Sequence, residues 1–151
     1  LEKVAETASD SFLRKALTMA VDGVDSHSLR ETLEVAIGQE EEHGEDGAKA
    51  FEAAGGYSPT IGIIGAVMGL IQVMKQLDNL EEVGHGIAVA FVATIYGVGL
   101  ANLVFLPVAK KLMAHISTLA TMREMFVDGI VGIANGDNPR IVESRMRGYV
   151  A

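Results

Sequence analysis

The sequence predicts an all-α fold, an integral membrane helical hairpin with cytoplasmic helices on both sides. Two observations carry this. The stretches Ala53 to Met74 and Val83 to Ala109 contain no Asp, Glu, Lys or Arg, and only a short acidic segment separates them. The second holds roughly 23 strongly apolar residues from Ile87 to Ala109, about 35 Å of helix against a hydrocarbon core of about 30 Å. The first, from about Tyr57 to Leu77, is just long enough to cross. Gly, Ala, Val and Ile also fill soluble cores, but two successive runs of this length without a charge are hard to explain in water. The expected organisation is a cytoplasmic helical segment over 1–56, a transmembrane hairpin over 57–109 and cytoplasmic helices over 110–151. The spans lie at about 57–77 and 86–109, with an outside loop at about 78–85.

The elements follow in order. Asp10 to Asp22 carries Phe12, Leu13, Ala16, Leu17, Ala20 and Val21 at helical spacing, and Gly23 supplies a stop. Ser28-Leu29-Arg30-Glu31 has capping-box spacing, with Leu29, Leu33, Ala36 and Ile37 on one apolar face behind it. Acid-rich Gln39 to Asp46, with Gly38, Gly44 and Gly47 around it, is expected to weaken or kink this helix before it resumes toward Phe51. Ser58-Pro59 caps and opens the first span without losing a helical bond. In the second span, Pro107 has no N–H for the carbonyl of Leu103, so a kink is expected near the cytoplasmic face; a tolerated proline and a functional hinge both fit. Lys110 to about Ala134 continues as helix until Gly136, and Asn138-Pro139 starts a last one, since proline at the first helical position loses no hydrogen bond.

Orientation follows from basic residues at the span ends. Lys49 precedes the first span and Lys110, Lys111 and Arg123 follow the second. The connecting segment Gln76 to His85 sets only neighbouring Lys75 against Asp78, Glu81 and Glu82. Both termini are therefore expected in the cytoplasm, the protein being a multi-pass resident of the inner (plasma) membrane.

The formal net charge of −8 is concentrated in the flanks, where residues 1 to 49 hold twelve acids and five bases. That surface argues against nucleic-acid binding, which needs a clustered basic face. The chain has no cysteine, hence no disulfide framework or thiolate metal site. It starts at Leu1 rather than Met and ends abruptly at Tyr149-Val150-Ala151, which suggests a fragment. No catalytic constellation emerges and no cofactor is expected. Glu40-Glu41-Glu42-His43 lacks the His-Glu-x-x-His spacing that sets two imidazoles on one helical face, and reads as a solvated charge run. Gly97-Val98-Gly99 sits mid-span and follows no strand, so it is no nucleotide loop.

Small residues mark close helix contact. Gly62, Gly65 and Gly69 lie near one face of the first span, and Ala93, Gly97 and Ala101 repeat every fourth residue in the second. Such stripes let backbones approach where lipid is as apolar as Leu. Neither span contains Asp, Glu or His, so an ion crossing here needs a titratable group from a partner. Thr94 is the polar channel candidate, though its hydroxyl can equally bond its own helix carbonyl. Asn102 is expected to make an interhelical hydrogen bond rather than bind an ion.

The segments Ser58-Pro59-Thr60-Ile61-Gly62-Ile63-Ile64-Gly65-Ala66-Val67-Met68-Gly69-Leu70-Ile71 and Gly86-Ile87-Ala88-Val89-Ala90-Phe91-Val92-Ala93-Thr94-Ile95-Tyr96-Gly97 closely resemble the third and fourth membrane helices of the MotA/PomA flagellar stator A-subunits. Asp10 to Lys15, Phe51 to Tyr57 and Gly136 to Arg140 are similar to that family's cytoplasmic segments. TolQ and ExbB share the broad pattern but lack the Ala101-Asn102-Leu103-Val104-Phe105-Leu106-Pro107 ending. The resemblance implies a fragment lacking the family's first two membrane helices. It also implies an ion-conducting stator subunit, five copies around two B-subunits. Each B-subunit has one membrane helix, bearing the ion-carrying aspartate, and a peptidoglycan-binding domain.

On that resemblance, Thr94, Ala66, Ala93, Gly65 and Gly97 line the ion channel, Pro59 and Pro107 serve as hinges, and Glu2 of the Leu1-Glu2 pair meets the rotor switch protein; a solvated surface glutamate is the plain alternative for Glu2. Sodium-type members carry threonines where this chain has Ala66 and Ala93. Sodium must replace its hydration shell with oxygen ligands, so the missing hydroxyls imply protons. Each charge crossing the membrane supplies about 2.3 kcal/mol per 100 mV. Other readings are a TolQ/ExbB-type energiser of outer-membrane processes and a non-conducting membrane scaffold.

Overall fold

A computed structural model describes residues 2–75 and 77–150. Leu1, Gln76 and Ala151 lie outside the described residues, and with them half of the expected Leu1-Glu2 pair, one residue of the connecting segment and the chain's last position. The helices are α1 (Glu2–Thr7), α2 (Ser11–Val21), α3 (Ser26–Met74), α4 (Leu80–Leu100), α5 (Leu106–Ala134) and α6 (Pro139–Arg147), and a π-helical turn, Ala101–Phe105, joins α4 to α5. No strand occurs among the described residues, in line with the all-α class the sequence predicts. The helices form two compact units, one from the residues up to Gly44 together with those from Ala114 onward, the other from Glu45–Met113.

In the first unit, Asp10 caps α2 by accepting the Leu13 amide at 2.8 Å, which turns Phe12, Ala16 and Leu17 inward. Gly23 ends the turn after α2 at φ +77°, a conformation that favours glycine. The next helix begins two residues before the expected Ser28 cap. Asp25 supplies the cap instead, accepting the amides of His27 at 3.1 Å and Ser28 at 3.0 Å. Its carboxyl is held below the usual range by hydrogen bonds from Ser28.

Leu29, Leu33 and Ile37 of α3 then pack with Ala120, Val127, Ile130 and Val131 of α5 in one apolar core. Where Gly38 to Gly47 were expected to weaken or kink the helix, α3 runs through without interruption. A helical glycine is worth only about 1 kcal/mol against alanine, and contacts within this unit offset it. A Cβ on Gly44 would lie 3.1 Å from Ile116, so the glycine admits that side chain, and Glu40 pairs with Arg123. Arg123 also lies over Phe12, 5.4 Å from the ring centroid.

Gly136 ends α5 at φ +73°, and Asn138 caps α6 by accepting the Arg140 amide at 3.0 Å with Pro139 behind it. Val142 and Met146 of α6 lie over Gly132 and Gly129 of α5. Asp128 accepts from the Arg30 guanidinium at 2.5 Å and from the Tyr149 hydroxyl at 2.5 Å. Burial pushes its carboxyl up, but these two bonds outweigh that and hold it below the ordinary value. The same contact raises Arg30 and Tyr149.

The second unit is an antiparallel hairpin. Its first arm is α3 from Glu45 and its second is α4, the π turn and the start of α5. The connection runs from Lys75 to Asn79, and Asn79 caps α4 by accepting the Glu81 amide at 3.2 Å. His85, expected at the loop end, is an exposed residue within α4. Large apolar side chains point away from both arms, Ile61 at 66%, Phe91 at 67% and Leu103 at 80% exposure. Both arms belong to helices long and apolar enough to cross a membrane. What closes the hairpin is therefore not burial of its large side chains but close approach of small ones.

Candidate functional site

The seam of the hairpin is built from glycine and alanine. A Cβ placed on Gly62 would meet the Ala93 carbonyl oxygen at 2.9 Å and the Gly97 Cα at 3.0 Å, and one on Gly97 would meet the Gly62 Cα and the Ser58 carbonyl at 2.8 Å. Here backbone packs on backbone, as small-residue stripes permit in lipid. Further along, Gly65 faces the Ala93 methyl, where an added Cβ would stand at 3.2 Å, and Gly69 faces Ala90 and the Gly86 carbonyl at 3.4 Å. Gly86 and Ala90 extend the expected stripe of Ala93, Gly97 and Ala101 along the same helix face, at three- and four-residue steps. At the other end, the absence of a side chain on Gly55 admits Leu106, whose Cδ2 would stand 2.7 Å from a Cβ there.

The two prolines sit in different surroundings. Pro59 does not open a helix but lies inside α3. Ser58 is accordingly no cap; its hydroxyl donates across the seam to the Gly97 carbonyl at 2.9 Å. Membrane helices tolerate such a proline because neighbouring groups take up the freed backbone. Before Pro107 the helix widens. The Leu106 amide bonds to the Ala101 carbonyl, five residues back, closing the π turn Ala101–Phe105. The sequence flagged Pro107 but carries no signal for this turn, because the turn and its flanks are almost wholly apolar and a shift of helical phase leaves no polar mark.

The polar candidates bond within their own helices. Thr94 is half-buried and its hydroxyl donates to the Ala90 carbonyl at 3.2 Å, within its own helix. Asn102 does the same rather than cross to another helix, its amide donating to the Val98 carbonyl at 2.9 Å. Gly65, Ala93 and Gly97 line an open groove of about 540 Å³ beside Tyr57, Ile61 and Tyr96. Ala66 and Thr94 are not among its lining. On helical spacing they fall on the opposite side of the seam, so the structure divides the five channel candidates between two faces. Glu2 is an exposed residue in the first turn of α1, beside Glu6 and Arg14. Between Tyr57 and Met74, and between Ile87 and Ala109, there is no Asp, Glu, His, Lys or Arg. Among the described residues, no group of three or more such ligands is placed to hold a metal ion. Ser58, read from the sequence as a cap, instead bridges the two arms.

Known proteins share this arrangement. Motility protein A of Helicobacter pylori is 40% identical over 151 residues, 100% of this chain and 59% of the relative. The solved structure of C. jejuni MotAB matches with a TM-score of 0.95 at 36% identity, over 100% of this chain and 59% of that one. The flagellar MotAB stator complex from Bacillus subtilis matches with a TM-score of 0.90 at 35% identity, over 99% and 59%. The chain thus spans about three-fifths of the length of these relatives. Its two apolar helices and its membrane relatives make it a multi-pass inner-membrane protein. Residues 4–125 match the MotA/TolQ/ExbB proton channel family, and the chain belongs to that family.

Proposed function

We propose that this chain is the channel-lining part of a MotA-type flagellar stator subunit, which couples proton flow across the membrane to torque on the rotor. The observation that carries the reading is a small-residue hairpin with no Asp, Glu, His, Lys or Arg between Tyr57 and Met74 or between Ile87 and Ala109, superimposable over the whole chain on a solved MotAB structure. Such a hairpin offers a conduit wall and leaves the proton carrier to a partner. The partner is a B-type subunit with one membrane helix and a peptidoglycan-binding domain, encircled by five copies of this subunit in the lipid bilayer. The role is one of transport and not of catalysis.

In this reading the spans lie at about 57–77 and 86–109, and both ends of the chain face the cytoplasm. Thr94, Ala66, Ala93, Gly65 and Gly97 face the conduit or shape its wall. Pro59 and Pro107 are the hinges that pass its state to the cytoplasmic helices, and Glu2 meets the rotor switch protein. The absence of hydroxyls at Ala66 and Ala93 favours protons, since Thr94 alone supplies too few oxygens for sodium.

The test is motor speed against external sodium at fixed proton-motive force, with this subunit and its cognate partner as the only stator. Rotation independent of sodium that collapses with a protonophore is expected. Rotation rising from zero with sodium overturns the proton assignment, and failure to rotate with the cognate partner overturns the stator reading.

A further inference from the structure

We infer that Ser58 is a positioning residue, whose hydroxyl on the Gly97 carbonyl ties together two backbone gaps so that the arms of the hairpin flex as one. The inference rests on the hinge reading above and assigns it a clasp. Each arm has one interruption in its hydrogen-bond ladder. In α3, Pro59 has no N–H, so the Gly55 carbonyl loses the donor four residues on. In the other arm, the Leu106 amide is committed to Ala101, and Pro107 has none to offer, so neither supplies the Asn102 carbonyl. A helix bends at such places because fewer bonds resist it, and single π turns recur at functional positions.

The two gaps are packed against each other. The bare Gly55 admits Leu106, and Phe105 lies alongside, where its Cβ would stand 3.5 Å from a Cβ on Gly55. Gly55 is thus both the unsupplied acceptor of one arm and the seat for the end of the π turn of the other. One helical turn away, the Ser58 hydroxyl donates to the Gly97 carbonyl at 2.9 Å. That carbonyl also accepts from the Ala101 amide, the residue that opens the π turn. Ser58 therefore holds the last regular turn before the π segment from the residue next to Pro59. A change of register in 101–105 would move the Gly97 carbonyl or strain this bond, and either would be felt in α3 at its own weak point. Without the hydroxyl, each gap would relax alone.

The experiment compares Ser58→Ala and Ser58→Thr in the full-length subunit assembled with its B-type partner, by amide hydrogen exchange in lipid nanodiscs and by stall torque. Loss of one hydrogen bond of this kind predicts about fivefold faster exchange in Ser58→Ala. The increase should appear in both 55–62 and 97–106, with stall torque at least halved and membrane assembly intact. Ser58→Thr keeps the hydroxyl and should restore both. Unchanged exchange, or faster exchange in one arm only, overturns the clasp; so does coupled exchange with full torque. If the parent complex does not rotate, the stator reading fails, and the exchange pattern alone decides the clasp.

Discussion

Gly97→Ala adds one methyl where backbone packs on backbone in the hairpin, and the structure sets what that does. The new Cβ would stand 2.8 Å from the Gly62 Cα and 2.8 Å from the Ser58 carbonyl oxygen, both backbone atoms that cannot swing aside. Carbon–carbon contacts settle at about 3.5–4.0 Å, so the arms must part by about 1 Å here. That separation stretches the Ser58–Gly97 bond, 2.9 Å in the parent, beyond hydrogen-bond reach. Overpacking of this kind costs about 1–3 kcal/mol and the lost bond about 1 kcal/mol more. Gly99→Ala is the matched control, two residues away on the same helix with nothing within 4 Å of the added Cβ. There the higher helix propensity of alanine should leave stability equal or slightly raised. The assay is thermal unfolding in detergent of the subunit purified with its proposed B-type partner, followed by helix content and by retention of that partner. Gly97→Ala should unfold at clearly lower temperature than Gly99→Ala. Equal stability of the two variants would refute the claim that backbone contact at Gly62 and Gly97 holds the hairpin.

Two further outcomes are expected. Asp128→Asn should destabilise the unit built on α5 and α6 by about 1–2 kcal/mol at neutral pH, because Arg30 and Tyr149 lose an ionised acceptor and Arg30 is only partly shielded from water. Since the folded carboxyl is held below its ordinary value, this contribution is complete above the unfolded carboxylate range and fades as pH falls through the folded one. Denaturant unfolding of parent and variant should therefore differ at pH 7 and converge in acid; a gap that widens in acid would contradict the bond assignment. Pro107→Ala supplies an amide where the ladder now has none, so it should still assemble with the B-type partner yet turn the motor weakly at high load. Wild-type stall torque would show the proline to be merely tolerated.

The sequence by itself determined the helical class, the two apolar arms, the helix start at Asn138-Pro139 and the stops at Gly23 and Gly136. These are local or periodic properties, set by apolar length, by side chains that reach their own backbone and by the one residue at ease at positive φ. It also picked out Gly62, Gly65 and Gly97, because small residues at three- and four-residue steps along one helix face have few other reasons to line up. Where it went astray, a local preference met a tertiary contact. Gly38, Gly44 and Gly47 read as a weak point or kink, yet α3 stays continuous because Ile116 and Arg123 of α5 support it there.

Ser58-Pro59 read as a helix start, yet the hydroxyl had a distant acceptor in Gly97, and no spacing rule reaches across 39 residues. Asn102 was expected to bond another helix and instead bonds Val98 in its own, a choice decided by which carbonyl is within reach. The π turn before Pro107 and the meeting of Arg30, Asp128 and Tyr149 likewise appear only in three dimensions. Hydrogen-bond register and long-range pairing depend on how closely two backbones approach, and that distance is a property of the packed pair rather than of either segment.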